Sequence, residues 1–310
     1  MNPSNPTQTA SQTSPRPKRG RWPIGRWLLT SVILLAVYVG ITMLSNTSRA
    51  QWKWAEALQA LDAGEIEQAK QYAQEALEIA PEDPLLRLYA GELYYRLDEP
   101  EKAHQQIDQA IALDENNAYV LTTGSFLLAR LGDHEKSLAL SDKLVELAQS
   151  KRAIHPHQAE NHRAYAIALA ADDGEASQQR IQQGLTDIEA ALAVFENNHA
   201  PIGKQVASYI DTRGYLKLFA GEPEEALADL NTAIAIYEKD YDQLLSKLSP
   251  EQIENKPLHV LAYEDELRDV LAVLYWHRSQ VYEKLNLPEE AEHDWLMAKK
   301  FGLSRTKGIW

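Results

Sequence analysis

The chain has no cysteine in its 310 residues, which excludes disulfides, thiolate zinc sites, iron–sulfur clusters and cysteine nucleophiles. Acidic residues are missing from its beginning: all five charged residues before Ser45 are basic (Arg16, Lys18, Arg19, Arg21 and Arg26). Removing their +5 from the overall −14 leaves −19 on the rest, a body that repels nucleic acid phosphates and anionic headgroups. No helical zinc motif, phosphate-cradling glycine loop or nucleophile elbow occurs, so neither a catalytic residue nor a cofactor is expected. His155, His157 and His162 stand beside Glu160, but a proline between the first two defines no common point for a metal. That stretch reads as a polar loop.

Charge is also missing from Trp27 to Ser48, where the sequence is apolar all round. A helix of that length, rising about 1.5 Å per residue, matches a hydrocarbon core of ~30 Å. Residues 1–21 are rich in Pro, Ser, Thr and Gln and read as a disordered basic tail. Residues 22–48 read as a transmembrane signal anchor, with Trp22 and Trp27 at its interface. The excess of basic residues before it keeps the tail in the cytoplasm and sends the body across, as in a single-pass protein of a bacterial inner membrane. A cleaved leader ending at Ser48-Arg49-Ala50 is the alternative, although the apolar run exceeds the roughly 7–15 residues of a leader core.

What the body does contain is a recurring pattern of small residues. In the stretch Asp211 to Ala235, Gly214 stands in a first helix, Gly221 and Pro223 at a turn, and Ala226 and Ala233 in a second helix. The same seven-residue pair recurs as Ala69 and Ala76, Ala103 and Ala110, and Ala291 and Ala298; Gly64, Gly91 and Gly132 fall at matching places. The first two pairs are 34 residues apart. Small side chains at such places let antiparallel helices approach closely. In this spacing the chain resembles the tetratricopeptide repeat family over most of its length.

The resemblance implies an all-α, right-handed α-solenoid of about five to six helix pairs. Repeats 1–3 are expected in residues 50–149, a degenerate fourth pair with an insertion in 150–200, and repeats 5–6 in 201–310, interrupted by a segment 238–261 of undefined structure. Within the fourth pair, the helices are expected at Asn161–Ala171 and Glu175–Glu196. Leu144 stands where a small residue belongs, which predicts looser packing in the third repeat. Ser249 before Pro250 reads as a helix cap inside the inserted segment.

The resemblance further implies a non-enzymatic scaffold that binds a protein or peptide in its concave groove, and the apolar segment makes it membrane-anchored with that groove on the extracytoplasmic side. The alternatives are a structural assembly factor for a membrane or envelope complex, or an enzyme whose site follows no recognised motif. By offset along the first helices, the groove residues are Trp54, Leu58, Leu88, Glu92, Tyr95, Tyr119, Phe126, Arg130, Asp211, Tyr215, Phe219, Trp276 and Gln280. Aromatic rings supply contact area and the scattered charges set register. The set of lysine, asparagine and arginine with which some members hold a terminal carboxylate is not complete, since only Arg96, Arg130 and Lys284 are basic at these offsets.

Overall fold

The computed structural model describes residues 31–32, 35, 45–151, 154–198 and 203–304. Most of the apolar segment 22–48 and the tail 1–21 lie outside the described residues, within which no helix is long and apolar enough to cross a membrane.

The described residues form thirteen helices and no strand: α1 (Asn46–Asp62), α2 (Ile66–Ile79), α3 (Pro84–Arg96), α4 (Pro100–Leu113), α5 (Ala118–Arg130), α6 (His134–Lys151), α7 (Pro156–Asp172), α8 (Gln178–Asn197), α9 (Lys204–Ala220), α10 (Pro223–Ser246), α11 (Pro250–Glu254), α12 (Leu258–Lys284) and α13 (Pro288–Phe301). From Ala50 onward they make one compact unit. Apart from the short α11 they run as antiparallel pairs. The first helix of a pair also packs on the first helix of the next, as α3 on α5, α5 on α7, α7 on α9 and α9 on α12, so the first helices form an inner layer backed by the second helices.

One device closes all six pairs. Gly64, Asp98, Gly132, Gly174, Gly221 and Asn286 each have positive φ, between 58° and 87°. The next residue's N–H then donates to the carbonyl five positions back, as Glu65 to Ala60 at 2.8 Å and Leu287 to Tyr282 at 2.9 Å. This left-handed stop satisfies carbonyls that the helix end leaves open. Asp and Asn are the non-glycine residues that enter this region most readily, so a search for turn glycines misses two of the six turns. Proline begins α4, α10 and α13, where its lack of a donor costs nothing.

The small residues divide into two kinds. Ala69, Ala76, Ala103, Ala110, Ala226, Ala233, Ala291 and Ala298 are buried between helices. Gly91 and Gly214 are too: a Cβ on Gly91 would lie 2.8 Å from Ile107 Cγ1, and one on Gly214 3.0 Å from Asp229 Cβ. Gly64, Gly132 and Gly221, expected to serve packing, instead face open space and serve through their φ alone. Leu144 does not loosen the third repeat; it is fully buried with Leu121, Val145, Leu147, Ala148 and Ala159.

The fourth pair begins earlier than expected, at Pro156, so His157 and His162 lie on a helix and not in a loop. Segment 238–261 is mostly helix. It prolongs α10 to Ser246 and starts α12 at Leu258, with α11 between them, opened by a capping box in which Ser249 and Gln252 bond reciprocally.

The last three pairs share a bridge that the small-residue pattern does not contain. Arg163 of α7 grips Asp187 of α8 (2.7 and 2.8 Å), Arg213 of α9 grips Asp229 of α10 (2.8 and 2.7 Å), and Arg278 of α12 grips Asp294 of α13 (2.5 and 3.0 Å). Each arginine precedes the small residue of its first helix, and each aspartate follows that of the second by three, so two bridges have the same 16-residue separation. Two arginines also reach back to the preceding pair, Arg163 to Asp142 and Arg278 to Asn231. The bidentate form fixes orientation as well as distance.

Candidate partner-binding face

An inner helix is flanked by neighbours on both sides and backed by its partner, so only a narrow stripe of it stays open. In α3, Leu86, Leu88, Ala90, Leu93 and Tyr95 are buried, and the accessible stripe is Tyr89, Glu92 and Arg96. Four residues expected in the groove are therefore packing residues: Leu88 and Tyr215 are 0% exposed, Tyr95 1% and Asp211 8%. Asp211 accepts a hydrogen bond from His277 Nδ1 at 2.8 Å, and the Tyr215 ring stacks on His277 with centroids 3.7 Å apart. Together they hold α9 to α12. Trp54, Phe126, Arg130, Phe219, Trp276 and Gln280 are half-buried, and Leu58, Glu92 and Tyr119 are exposed.

Two clefts open among these helices. The first, of about 470 Å³, lies between the ends of α9 and α12 and brings together Phe219 and Gln280 with Leu218, Gly221, Glu283 and Lys284. Turned so that both its ends are satisfied, the Gln280 amide donates to Asp172 Oδ1 (2.9 Å) and accepts from Trp276 Nε1 (3.1 Å). Burial raises the Asp172 carboxyl above its ordinary range, an effect the Tyr215 hydroxyl opposes.

The second cleft, of about 660 Å³, has α5 on one side and α7 on the other, with Tyr209 of α9 also lining it. Tyr119, Thr122 and Thr123 face His155, Gln158, Asn161 and His162. Of the residues expected from the sequence, only Tyr119 is among them. Gln158 and Asn161 escaped because the register of α7 cannot be set once the repeat period breaks, and Thr122 and Thr123 because they stand one helical turn beyond Tyr119 on α5, where no aromatic or charge marks them. His157 Nδ1 lies 3.0 Å from the Tyr209 hydroxyl, and the His155 and His157 rings stack. Among the described residues, no group of three His, Asp or Glu side chains is placed to hold a metal.

Ring contacts also link successive inner helices. Phe126 stacks on Tyr165 with centroids 6.1 Å apart, and the Arg130 guanidinium lies over Phe126 at 4.8 Å and Tyr95 at 5.4 Å. Trp54 and Tyr89 stack at 5.7 Å nearer the start. Half-buried rings with a cation over them are rigid contact area, suited to gripping another polypeptide.

His162 gives this region a pH response. Burial lowers its pKa from 6.5 to about 4, so the folded chain holds it neutral while the unfolded chain protonates it near 6.5. The unfolded state then binds more protons between these values, and stability falls as pH drops from 6.5 toward 4, by up to ~3 kcal/mol at 1.36 kcal/mol per unit. Urea unfolding across that range is expected to show the loss, and His162→Phe to flatten it; an equal slope in the variant assigns the response elsewhere.

Residues 60–123 match the family described as Tetratricopeptide repeat. A stretch of 103 residues, 33% of this chain, is 31% identical to DnaJ homolog subfamily C member 3 of Rattus norvegicus. The chain spans only 20% of that relative's length. Among solved structures, PilW, a widely conserved type IV pilus biogenesis factor, aligns over 84% of this chain and 98% of its own at 16% identity and a TM-score of 0.50. PilF of Pseudomonas aeruginosa aligns over 85% and 97% at 15% identity and a TM-score of 0.43. Residues 60–123 thus match tetratricopeptide repeats, and the body has the fold of a solenoid of that type.

Proposed function

We propose that this chain is a membrane-anchored scaffold whose inner helical layer captures a protein or peptide partner on the extracytoplasmic side of a bacterial inner membrane. The observation that carries the reading is the face itself: two clefts among α5, α7, α9 and α12, with the half-buried rings of Phe126 and Tyr165 stacked across α5 and α7. The anchor rests on the uncharged stretch from Trp27 to Ser48 and the five basic residues before it. Tethering concentrates a bound partner at the membrane, a physical reason to join an anchor to a binding array.

A photocrosslinking residue at Phe126 or Phe219 of the full chain is expected to trap one and the same protein in cells. At Glu146 or Glu196, on the second helices, it is expected to trap none. Trapping that ignores position counts against the inner face. Protease added to sealed, inside-in spheroplasts is expected to digest the body, and full protection there reverses the orientation.

A further inference from the structure

Among the described residues, no acidic, lysine or arginine side chain lines the larger cleft. The cations nearby are engaged: Arg130 over the rings of Tyr95 and Phe126, Arg163 with Asp142 and Asp187, Lys204 with Glu266. A terminal carboxylate or a phosphate entering here meets no unengaged cation among these three, inside a body of net charge −19. His162, with its pKa of about 4, stays neutral and adds none.

The cleft is nevertheless polar. Two lining residues carry buried atoms without a hydrogen-bond partner, Asn161 Oδ1 and His162 Nε2. A buried polar atom left unpaired costs about 1–3 kcal/mol, so an occupant that supplies donors and acceptors is favoured over an apolar one. The half-buried rings of Phe126 and Tyr165 stack across α5 and α7, the two helices that flank this cleft, and add contact area for an occupant that runs past it.

We propose that this cleft takes an internal, uncharged stretch of an extended polypeptide, held through its backbone amides, with basic residues on either side of the stretch attracted by the acidic body. This rests on the protein-binding reading above and narrows it to one ligand class. An uncharged oligosaccharide could use the same hydroxyls and amides, but it carries no positive charge for the body to attract.

The test uses the full chain in detergent and fluorescence anisotropy of short labelled peptides with a Ser, Thr, Asn and Ala core between pairs of lysines. The amidated peptide is expected to bind. A free carboxyl terminus should bring no gain, and replacing the lysines with glutamates should abolish binding. Asn161→Ala and His162→Phe are each expected to weaken binding about tenfold. Thr122→Val, which keeps the side-chain shape, is the reporter if either variant loses its helical circular dichroism. Tighter binding of the free carboxyl form, displacement of the peptide by an N-acetylglucosamine oligomer, or indifference to all folded variants overturns the proposal. If Phe219→Ala abolishes peptide binding while Asn161→Ala leaves it unchanged, this cleft is the wrong place and the scaffold reading stands. If no peptide binds and crosslinking at Phe126 and Phe219 traps nothing, the scaffold reading itself falls.

Discussion

Asp294→Ala is expected to lower the stability of the folded body by about 3 kcal/mol, seen as a fall in the urea midpoint. Asp294 is 1% exposed and both its oxygens are held by Arg278, whose side chain is only 15% exposed. Removing the carboxylate leaves a guanidinium enclosed by Asn231 at 2.7 Å and the rings of Tyr275 and Tyr282 at 5.2 and 5.6 Å. Breaking one side of a buried pair typically costs ~3–5 kcal/mol, most of it the stranded charge. The surviving bond to Asn231 places this case at the low end. Two comparisons isolate the cause: Asp294→Asn keeps one acceptor and should lose less, and Arg278→Met with Asp294→Leu should recover much of the loss by removing both charges. A double variant as unstable as Asp294→Ala alone would mean that shape, not the stranded charge, sets the cost.

Gly214→Leu is expected to cost at least as much, for a steric reason. Its Cβ alone would stand 3.0 Å from Asp229 Cβ and 3.1 Å from both the Ala226 carbonyl oxygen and Leu230 Cγ. One of these neighbours is backbone, so α9 and α10 must part to admit a side chain. Overpacking commonly costs about 1–3 kcal/mol, and separating two helices exceeds that range. The displacement also pulls Asp229 away from Arg213 and Lys217, which it joins at 2.7 and 2.8 Å. Gly124→Ala makes a useful contrast: a Cβ there meets only side-chain atoms of Ile111 and Leu140, all at 3.5 Å, which is ordinary van der Waals contact. A thermal melt should show a small shift for Gly124→Ala and a large one for Gly214→Leu; equal shifts would argue against close helix approach as the cause.

Most of the fold can be read from alanine and glycine spacing, because close helix crossings admit few other residues. Ala69, Ala103, Ala226 and Ala291 mark second helices, and the 34-residue period sets the register of the first three pairs. Spacing fails where other residues meet the same demand: Asp98 and Asn286 turn the chain as Gly64 and Gly132 do. It also fails where the period lengthens, as in α7 and in the join of α10 to α12, since an added turn of helix preserves amphipathicity while moving every later position. The binding face was less legible. Offset along the first helices selects a residue type at a position, but not which side of a nearly all-buried helix stays open, so Tyr215 and Phe219 look alike in sequence although one is core and the other lines a cleft. The arginine bridges were within reach, since Arg213 to Asp229 repeats as Arg278 to Asp294 at one separation.

Those bridges make the array mechanically uneven. A solenoid is a stack of nearest-neighbour interfaces, and its weakest interface yields first under load. In α1 to α6 the ion pairs between helices are partly exposed lysine contacts, such as Lys53 with Glu75 and Lys136 with Asp108, which resist little. From α7 onward each helix pair is latched by a bidentate arginine–aspartate bridge, and two of the three latches also hold the preceding pair. Tension drawn through the chain from its beginning therefore stretches a compliant spring joined to a stiff block, and the cleft that bears Asn161 and His162 sits at the seam between them.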